Sequence, residues 1–467
     1  MRTSKGRKMK QSLFTVSEVD ADGSLILYHT LTQALAVCAP GVAPSSCENL
    51  YQAGFFVRDD ANETSRLIAR YQKDCASAEH FCLAIAPTLD CNFACPYCYE
   101  REVRHAGSMS KEVQAATIAF IQRNFERLGS QKVKIVWYGG EPLLGLPAIQ
   151  NISLSLIERG IPLEASMLSN ASLITDNVAT ALSECRVTHV STTLDGVGEA
   201  HNTHRPARSG APTYEAILQG LQLLRDHGIE VSVLFNEDRG NTCEYEKLCA
   251  ELSRFGITDV TASQVFDYYQ CLNVVEDFTS ERYDLFTDPK EFALKQYQRA
   301  TARGVSDELL AGFMAPIRLY CSRQVESYFV IDEAGLLYEC DGDVGYTNRA
   351  LGSVFDSEMP AHKRYNPFSD PLCKQCAYLP LCLGNCRWTR DCVGASCAPQ
   401  KAIVGEILHD WREVLEHGAA VKSAAKGEVL HRDERLALGN DSSPCARILR
   451  EGTPPDFDSP TPYVLWL

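Results

Sequence analysis

Residues Asp90–Glu100 read DCNFACPYCYE, and the reading of this stretch decides the fold. It carries Cys91, Cys95 and Cys98 in the spacing C-x3-C-x2-C. A closed structural metal site usually has four protein ligands, so three thiols leave one position open. Three thiolates can hold three irons of a [4Fe–4S] cluster and leave the fourth iron to a ligand that is not protein. Zinc is the rival reading, with His105 the nearest histidine able to complete a three-cysteine site.

The surrounding chain is that of an ordinary globular protein. Its 467 residues suggest roughly two to four domains. The net charge of −15, with no strongly basic domain, argues against a nucleic-acid partner. No segment approaches the roughly 18 apolar residues that would span a bilayer, so no membrane partner is expected. The basic start MRTSKGRKMKQ has no apolar run behind it, which points to a cytoplasmic protein. Twenty cysteines in so large a chain then read as metal ligands, not as disulfide staples.

From residue 82 the pattern alternates strand and helix. Strands are expected at 82–87, 132–138, 164–169, 188–193, 230–235 and 259–266, with helices at 111–128, 146–159, 176–185, 214–227, 243–255 and 288–303. Thr213 reads as the N-cap of the helix at 214–227 and Gly228 as its stop. Six βα units in a row imply a parallel sheet with helices outside, either an open barrel or a doubly wound sheet. Before them, SLILYHTLTQALAVC (24–38) reads as a strand followed by a helix, and GFFVRDD as a further short strand or turn. Residues 321–397 are loop-rich and cysteine-rich. Ile403, Ile407, Trp411 and Val414 then mark one amphipathic helix, and the tail is polar until YVLWL.

In parallel βα folds, sites form beyond the carboxyl ends of the strands. The three cysteines follow the first strand, and Gly139, Gly140, Glu141 and Pro142 follow the second. Ser169 and Asn170 end the third, Leu194, Asp195 and Gly196 the fourth, and Asn236 follows the fifth. All fall on one rim, which is the expected active site.

This constellation resembles the radical SAM superfamily over roughly residues 82–310. The resemblance implies that the open iron is chelated by S-adenosylmethionine. Tyr97 matches the position that packs near the adenine. The GGEP segment, Gly139 to Pro142, matches the glycine-rich motif that receives the cofactor's amino group, and Ser169 and Asn170 match the ribose contact. TTLDGVGEAHNTHRP resembles an "SLDG…H…R" segment of one branch, which makes Asp195 and Arg205 candidates for holding cofactor or substrate. The plainer readings are a turn cap for Asp195 and a surface ion pair for Arg205. His201 and His204 read as solvated loop residues.

Cys321, Gly335 and Cys340, then Cys373, Cys376, Cys382 and Cys386, resemble the SPASM domain, which carries two auxiliary [4Fe–4S] clusters on peptide-modifying members of the superfamily. By that pattern Cys321, Cys340 and Cys386 bind the first auxiliary cluster. Cys373, Cys376, Cys382 and Cys397, or Cys392 in its place, bind the second. SRQVESY after Cys321 lacks the extra cysteine of some relatives, so the first cluster has an open site or a non-cysteine ligand such as Glu326. A structural zinc knot is the alternative. The remaining cysteines have no ligand spacing and read as inert buried thiols.

The implied architecture is α/β: a partial (β/α)6 TIM-like barrel at 81–310, a small N-terminal α+β module at 1–80, a loop-rich SPASM domain at 311–400, and a C-terminal helix and tail at 401–467. The implied chemistry starts with an external one-electron reductant such as flavodoxin or ferredoxin. A 5′-deoxyadenosyl radical then takes hydrogen from a substrate carbon. Asp341 matches the base of sulfatase-maturating relatives, although Asp341 or Asp343 could simply turn the chain. The N-terminal module weakly resembles leader-recognition modules that bind a precursor peptide at a strand edge, which favours a maturase that cross-links a ribosomal precursor peptide. A structural cap on the barrel is the other reading of that module. Alternatives for the whole are a sulfatase-maturating enzyme, which makes formylglycine from Cys or Ser, and an iron–sulfur carrier or scaffold without radical chemistry.

Overall fold

The computed structural model describes residues 8–265, 284–286, 288–302, 304–362, 366–386, 397, 399–424 and 446–452. Near the N-terminus run strands β1 (Met9–Gln11), β2 (Thr15–Val19), β3 (Leu25–His29), β4 (Leu35–Cys38) and β5 (Phe56–Arg58), with helices α1 (Glu48–Gln52) and α2 (Thr64–Cys75). The expected helix after Ser24 is a strand. Gln33 turns the chain at φ +60°, and β4 returns antiparallel to β3. All four residues of β4 are buried inside a sheet, and a short apolar run of that kind has no period to separate it from a buried helix.

The alternating region follows the sequence closely. Strands β6 (His80–Ile85), β7 (Lys132–Trp137), β8 (Leu163–Leu168), β9 (Val187–Thr193), β10 (Glu230–Glu237) and β11 (Val260–Gln264) pair parallel in chain order. Between and after them lie α3 (Lys111–Leu128), α4 (Leu146–Glu158), α5 (Asp176–Glu184), α6 (Glu199–His204), α7 (Tyr214–Asp226), α8 (Glu244–Arg254) and α9 (Pro289–Thr301). One face of the sheet is fully apolar: Val133, Ile135, Trp137, Ala165, Met167, Val190, Val233 and Phe235 pack against the helices. The other face carries half-buried Lys134, Glu164, Ser166, Ser191, Ser232 and Asn236. This alternation is what a partial barrel with an open, polar lumen requires.

Two features were not legible in the sequence. Strand β12 (Tyr328–Ile331) adds parallel to β6 and continues into the antiparallel strands β13 (Leu336–Tyr338) and β14 (Gly352–Ser353), so the sheet extends into the cysteine-rich region. The chain's late strand β15 (Ala446–Arg450) pairs antiparallel with β4, giving the N-terminal sheet the order β15-β4-β3-β2. The expected amphipathic helix follows residue 403 and runs Val404–Ala424; its Ile407 and Trp411 pack with Val16, Ile26 and Tyr28 of the N-terminal sheet. Thr213 makes no side-chain cap: Asn202 Oδ1 accepts from the N–H groups of Thr213 and Tyr214 instead, at 2.8 and 3.1 Å. Gly228, at φ +74°, ends that helix as expected. Cys38, Cys47, Cys75, Cys82 and Cys185 are buried thiols, whereas Cys243 is exposed and Cys249 half-buried. Cys271, Cys392, Cys445 and YVLWL lie outside the described residues. Among those described, no helix is long and apolar enough to cross a membrane.

Candidate active site

The loop after β6 is anchored on both flanks. Phe93 bridges to Ala207, Ala94 N–H donates to Pro206 O at 2.8 Å, and Arg208 N–H donates to Asn92 O at 2.9 Å. On the other side the glycine-rich loop lies against it, with Gly140 N–H on Thr88 O at 3.2 Å and Glu141 N–H on Asp90 O at 2.8 Å. A Cβ on Gly140 would fall 2.1 Å from Asp90 O, and one on Gly139 2.5 Å from Thr88 O. These glycines are therefore needed for loop-on-loop packing, a role the sequence reading did not assign them.

Glu141 is fully buried. Its carboxylate accepts from Leu143 N–H (3.1 Å), Ser169 Oγ–H (2.8 Å) and Asn170 N–H (2.7 Å). Asn170 Nδ2 reaches Asn92 Oδ1 at 2.7 Å, between Cys91 and Phe93 of the cysteine loop. The GGEP segment, closed by buried Pro142, and the Ser169–Asn170 segment are thus one hydrogen-bonded unit under the cysteines.

Cys91 and Cys95 are each 7 % exposed. Burial pushes Cys91 up to about 11 and Cys98 to about 12, and it also raises Cys95. Buried thiols with such pKa values need a metal to become thiolates. Arg104 Nη2 donates to Cys98 Sγ at 3.4 Å, and Phe93 N–H donates to Cys91 Sγ at 3.4 Å. Arg104 and Arg205 both feel Cys91 and Cys95, and each keeps a buried Nε–H with no partner among the described residues. Three sulfurs beside two cations with unspent donors fit an anionic iron–sulfur cluster. Among the described residues no three His, Cys, Asp or Glu side chains converge around a single ion.

Tyr97 and Asp195 meet beside this loop. Tyr97 O–H donates to Asp195 Oδ2 at 2.5 Å and accepts from Arg205 Nη1 and Asn236 Nδ2, both at 3.1 Å. Asp195 Oδ1 takes Asn236 N–H at 2.9 Å. Asp195 is fully buried and Arg205 is 9 % exposed, so Arg205 makes no surface ion pair. Burial acts to raise Asp195, but the His204 hydrogen bond and the Arg205 charge hold it below the ordinary carboxylate range. The expectation that His201 and His204 are solvated is overturned. Both lie on α6, with His201 fully buried and Nδ1 accepting from Asp195 N–H at 3.2 Å. His204 bridges Asp195 and Asp238. The short helix turns this face inward, which spacing alone could not reveal.

In the cysteine-rich region, Cys321 and Cys386 stand close enough for Cys386 to add to the burial that pushes Cys321 up to about 12. Burial and then Asp341 and Asp343 raise Cys340, beside Arg323. Burial raises Cys382 to about 11, and Cys373, Cys376 and Cys397 act on it in the same direction. Asp341 and Asp343 do turn the chain, in one 3-10 turn. Asp341 accepts from Tyr328 O–H, and burial raises its carboxyl. Burial also raises Glu100 to about 8; Arg104 works against this, while Asp341 adds to it. The sequence reading missed Arg104, Glu100 and Asp238. Asp238 sits two residues beyond Asn236 on the rim and could have been found there.

The family model for the radical SAM superfamily matches residues 85–236. A serine-type anaerobic sulfatase-maturating enzyme of Klebsiella aerogenes is 30% identical over 326 residues, 63% of this chain and 76% of that protein. One of Klebsiella pneumoniae is 24% identical over 63% of this chain and 78% of that protein. The solved structure of native anSMEcpe with bound AdoMet and Kp18Cys peptide shares the fold, with TM-score 0.56 and 20% identity over 72% of this chain and 99% of that one. The chain belongs to the radical SAM superfamily and is an enzyme of its SPASM-type maturase branch. Membership implies S-adenosylmethionine and a [4Fe–4S] cluster.

Proposed function

We propose that the chain modifies a peptide, most specifically by installing a cross-link in a ribosomal precursor peptide. In this reading Cys91, Cys95 and Cys98 hold the cluster that binds S-adenosylmethionine. Cys321, Cys340 and Cys386 hold one auxiliary [4Fe–4S] cluster, and Cys373, Cys376, Cys382 and Cys397 the other. When bound, the first cluster and S-adenosylmethionine supply a radical able to take hydrogen from an unactivated carbon. The protein's own part is to bury Cys91 and Cys95 and half-bury Cys98, set Arg205 and the Tyr97–Asp195 pair beside them, and keep the half-buried polar lumen for substrate. The observation that carries the reading is the joined unit of cysteine loop, GGEP segment and Ser169–Asn170 at one sheet rim.

A peptide substrate is supported by the Kp18Cys peptide in the anSMEcpe structure. The N-terminal module supports a leader-guided precursor, since its sheet already accepts β15 by strand addition from a distant part of the chain. Among the described residues the other edge strand, β2, pairs only with β3, and its Val19 is 66% exposed. In this reading the N-terminal 80 residues serve the peptide, 81–310 the radical and 311–400 the auxiliary clusters, while the helix Val404–Ala424 and β15 brace the N-terminal sheet. The cytoplasm supplies reduced thiols and a flavodoxin- or ferredoxin-type donor.

The half-buried Asp341, whose carboxyl is raised by desolvation, favours a second reading: oxidation of a Cys or Ser side chain to formylglycine, the residue Asp341 acting as base. Co-expression at low oxygen with the peptide encoded beside the gene, followed by mass spectrometry, separates the two. Loss of two hydrogens with fragmentation blocked between two residues supports the cross-link. A product that reacts with hydrazide and fragments freely supports formylglycine. An unmodified peptide, without deuterium uptake, overturns the precursor-peptide reading.

A further inference from the structure

Arg104 touches a cysteine sulfur of the C-x3-C-x2-C loop directly. Its Nη2 donates to Cys98 Sγ at 3.4 Å, and its Nη1 donates to Phe93 O, midway between Cys91 and Cys95, at 2.7 Å. One guanidinium therefore straddles the loop from its first half to its last cysteine. Its Nε–H is buried and has no partner among the described residues. Their hydrogen bonding does not explain why a donor should be held there, because a buried unpaired N–H is costly. A sulfur-rich anion at the centre of the loop would accept it.

The surroundings leave the charge directed at the sulfurs. Among the described residues no acidic side chain forms an ion pair with Arg104, whereas Arg101, Arg205 and Arg208 are occupied elsewhere, by Glu102, Tyr97 and Asp90. The buried Glu100 carboxyl feels the charge of Arg104.

We propose that Arg104 tunes the reduction potential of the cluster held by Cys91, Cys95 and Cys98, by a charge-assisted N–H···S bond to Cys98 and by its positive charge beside all three thiolates. A cluster gains negative charge on reduction, so a fixed cation and sulfur hydrogen bonds favour the reduced form and raise the potential. The benefit is that a mild biological donor can then reduce a cluster buried away from water. Arg104 makes no claim on substrate; it acts through the cluster.

The inference rests on the assignment of the three cysteines as cluster ligands, and the two can fail separately. The test is a potentiometric titration of the first cluster, read by electron paramagnetic resonance, in a chain whose auxiliary-cluster cysteines are replaced by alanine, with iron content measured alongside. If iron survives replacement of Cys91, Cys95 and Cys98 in that background, the ligand assignment falls. If iron is lost there, Arg104→Gln and Arg104→Lys test the tuning. Arg104→Gln with full iron and a more negative midpoint supports the proposal, and Arg104→Lys should then fall between it and the wild type. Full iron with a wild-type midpoint in both variants overturns it. Should Arg104→Gln take up no iron, Arg104→Lys decides: a lowered midpoint supports tuning, and an unmoved one assigns Arg104 to loop structure alone. A matching loss of turnover with a mild donor, absent with dithionite and without change in KM for S-adenosylmethionine, is the expected kinetic companion.

Discussion

His204 Nδ1 lies 2.9 Å from Asp195 Oδ2, and its other ring nitrogen lies 3.1 Å from Asp238 Oδ2. A histidine between two buried carboxylates is a histidinium. Burial opposes that charge, but the two hydrogen bonds and the two negative charges raise its pKa to about 9. The ion pair joins the end of β9 to the end of β10 and sets the orientation of Asp195 toward Tyr97.

The pH dependence follows in sign. The folded pKa of about 9 lies above the unfolded value of about 6.5, so the His204 contribution is fully present below about pH 6.5. It is lost as pH rises through 9. His201 works the other way: burial lowers it to about 3, so its contribution fades as pH falls below about 6.5. Thermal melts of wild type and His204→Gln between pH 6 and 10 should converge at the alkaline end. Parallel curves would remove the histidinium.

Tyr97→Phe deletes a hydroxyl that accepts from Arg205 and Asn236 and donates to Asp195. Leaving these buried partners unmatched should cost about 1–3 kcal/mol in urea unfolding. A loss below about 0.5 kcal/mol would show that the network repairs itself, for instance with a water.

Gly140→Ala places a methyl group 2.1 Å from Asp90 O, where the contact is with backbone and cannot be relieved by a rotamer change. The expected result is a loss of at least about 3 kcal/mol and a sharp fall in iron uptake. Gly210→Ala is a control with open space around it, though its φ of +74° adds some strain. Equal iron content in the two variants would refute the packing argument.

Asp341→Asn tests the base. Burial raises this carboxyl, which suits a group that must take a proton near neutral pH. If Asp341 is the base, the variant still cleaves S-adenosylmethionine but makes product at least about tenfold more slowly. Unchanged product formation with unchanged cleavage assigns Asp341 to the turn and to the Tyr328 hydrogen bond.

The candidate site was legible to the extent that it lies in short, local patterns. The C-x3-C-x2-C spacing and GGEP could be read because a tight loop needs its ligands and glycines close in sequence. The rim of Ser169, Asn170, Asp195 and Asn236 followed from the rule that βα loops gather at one edge. Arg104 and His204 could not be read that way. One is aimed by an irregular loop and the other by a single helical turn, and neither has a period that betrays which way a side chain points.

By itself, the sequence determined the alternating strands and helices from β6 to α9, the short helix α6 excepted, because hydrophobic periodicity is a local consequence of burying one face. It also determined the thiols available for clusters. Only the tertiary structure decided that Ser24–Cys38 is a hairpin, that β15 closes the N-terminal sheet, and that β12 extends the barrel sheet. The last two pairings join residues hundreds of positions apart, and no local preference records which edge a strand will find; in the hairpin, a short buried apolar run has no period to tell strand from helix. The same holds for the buried charges: His204 is charged only because Asp195 and Asp238 meet it in space.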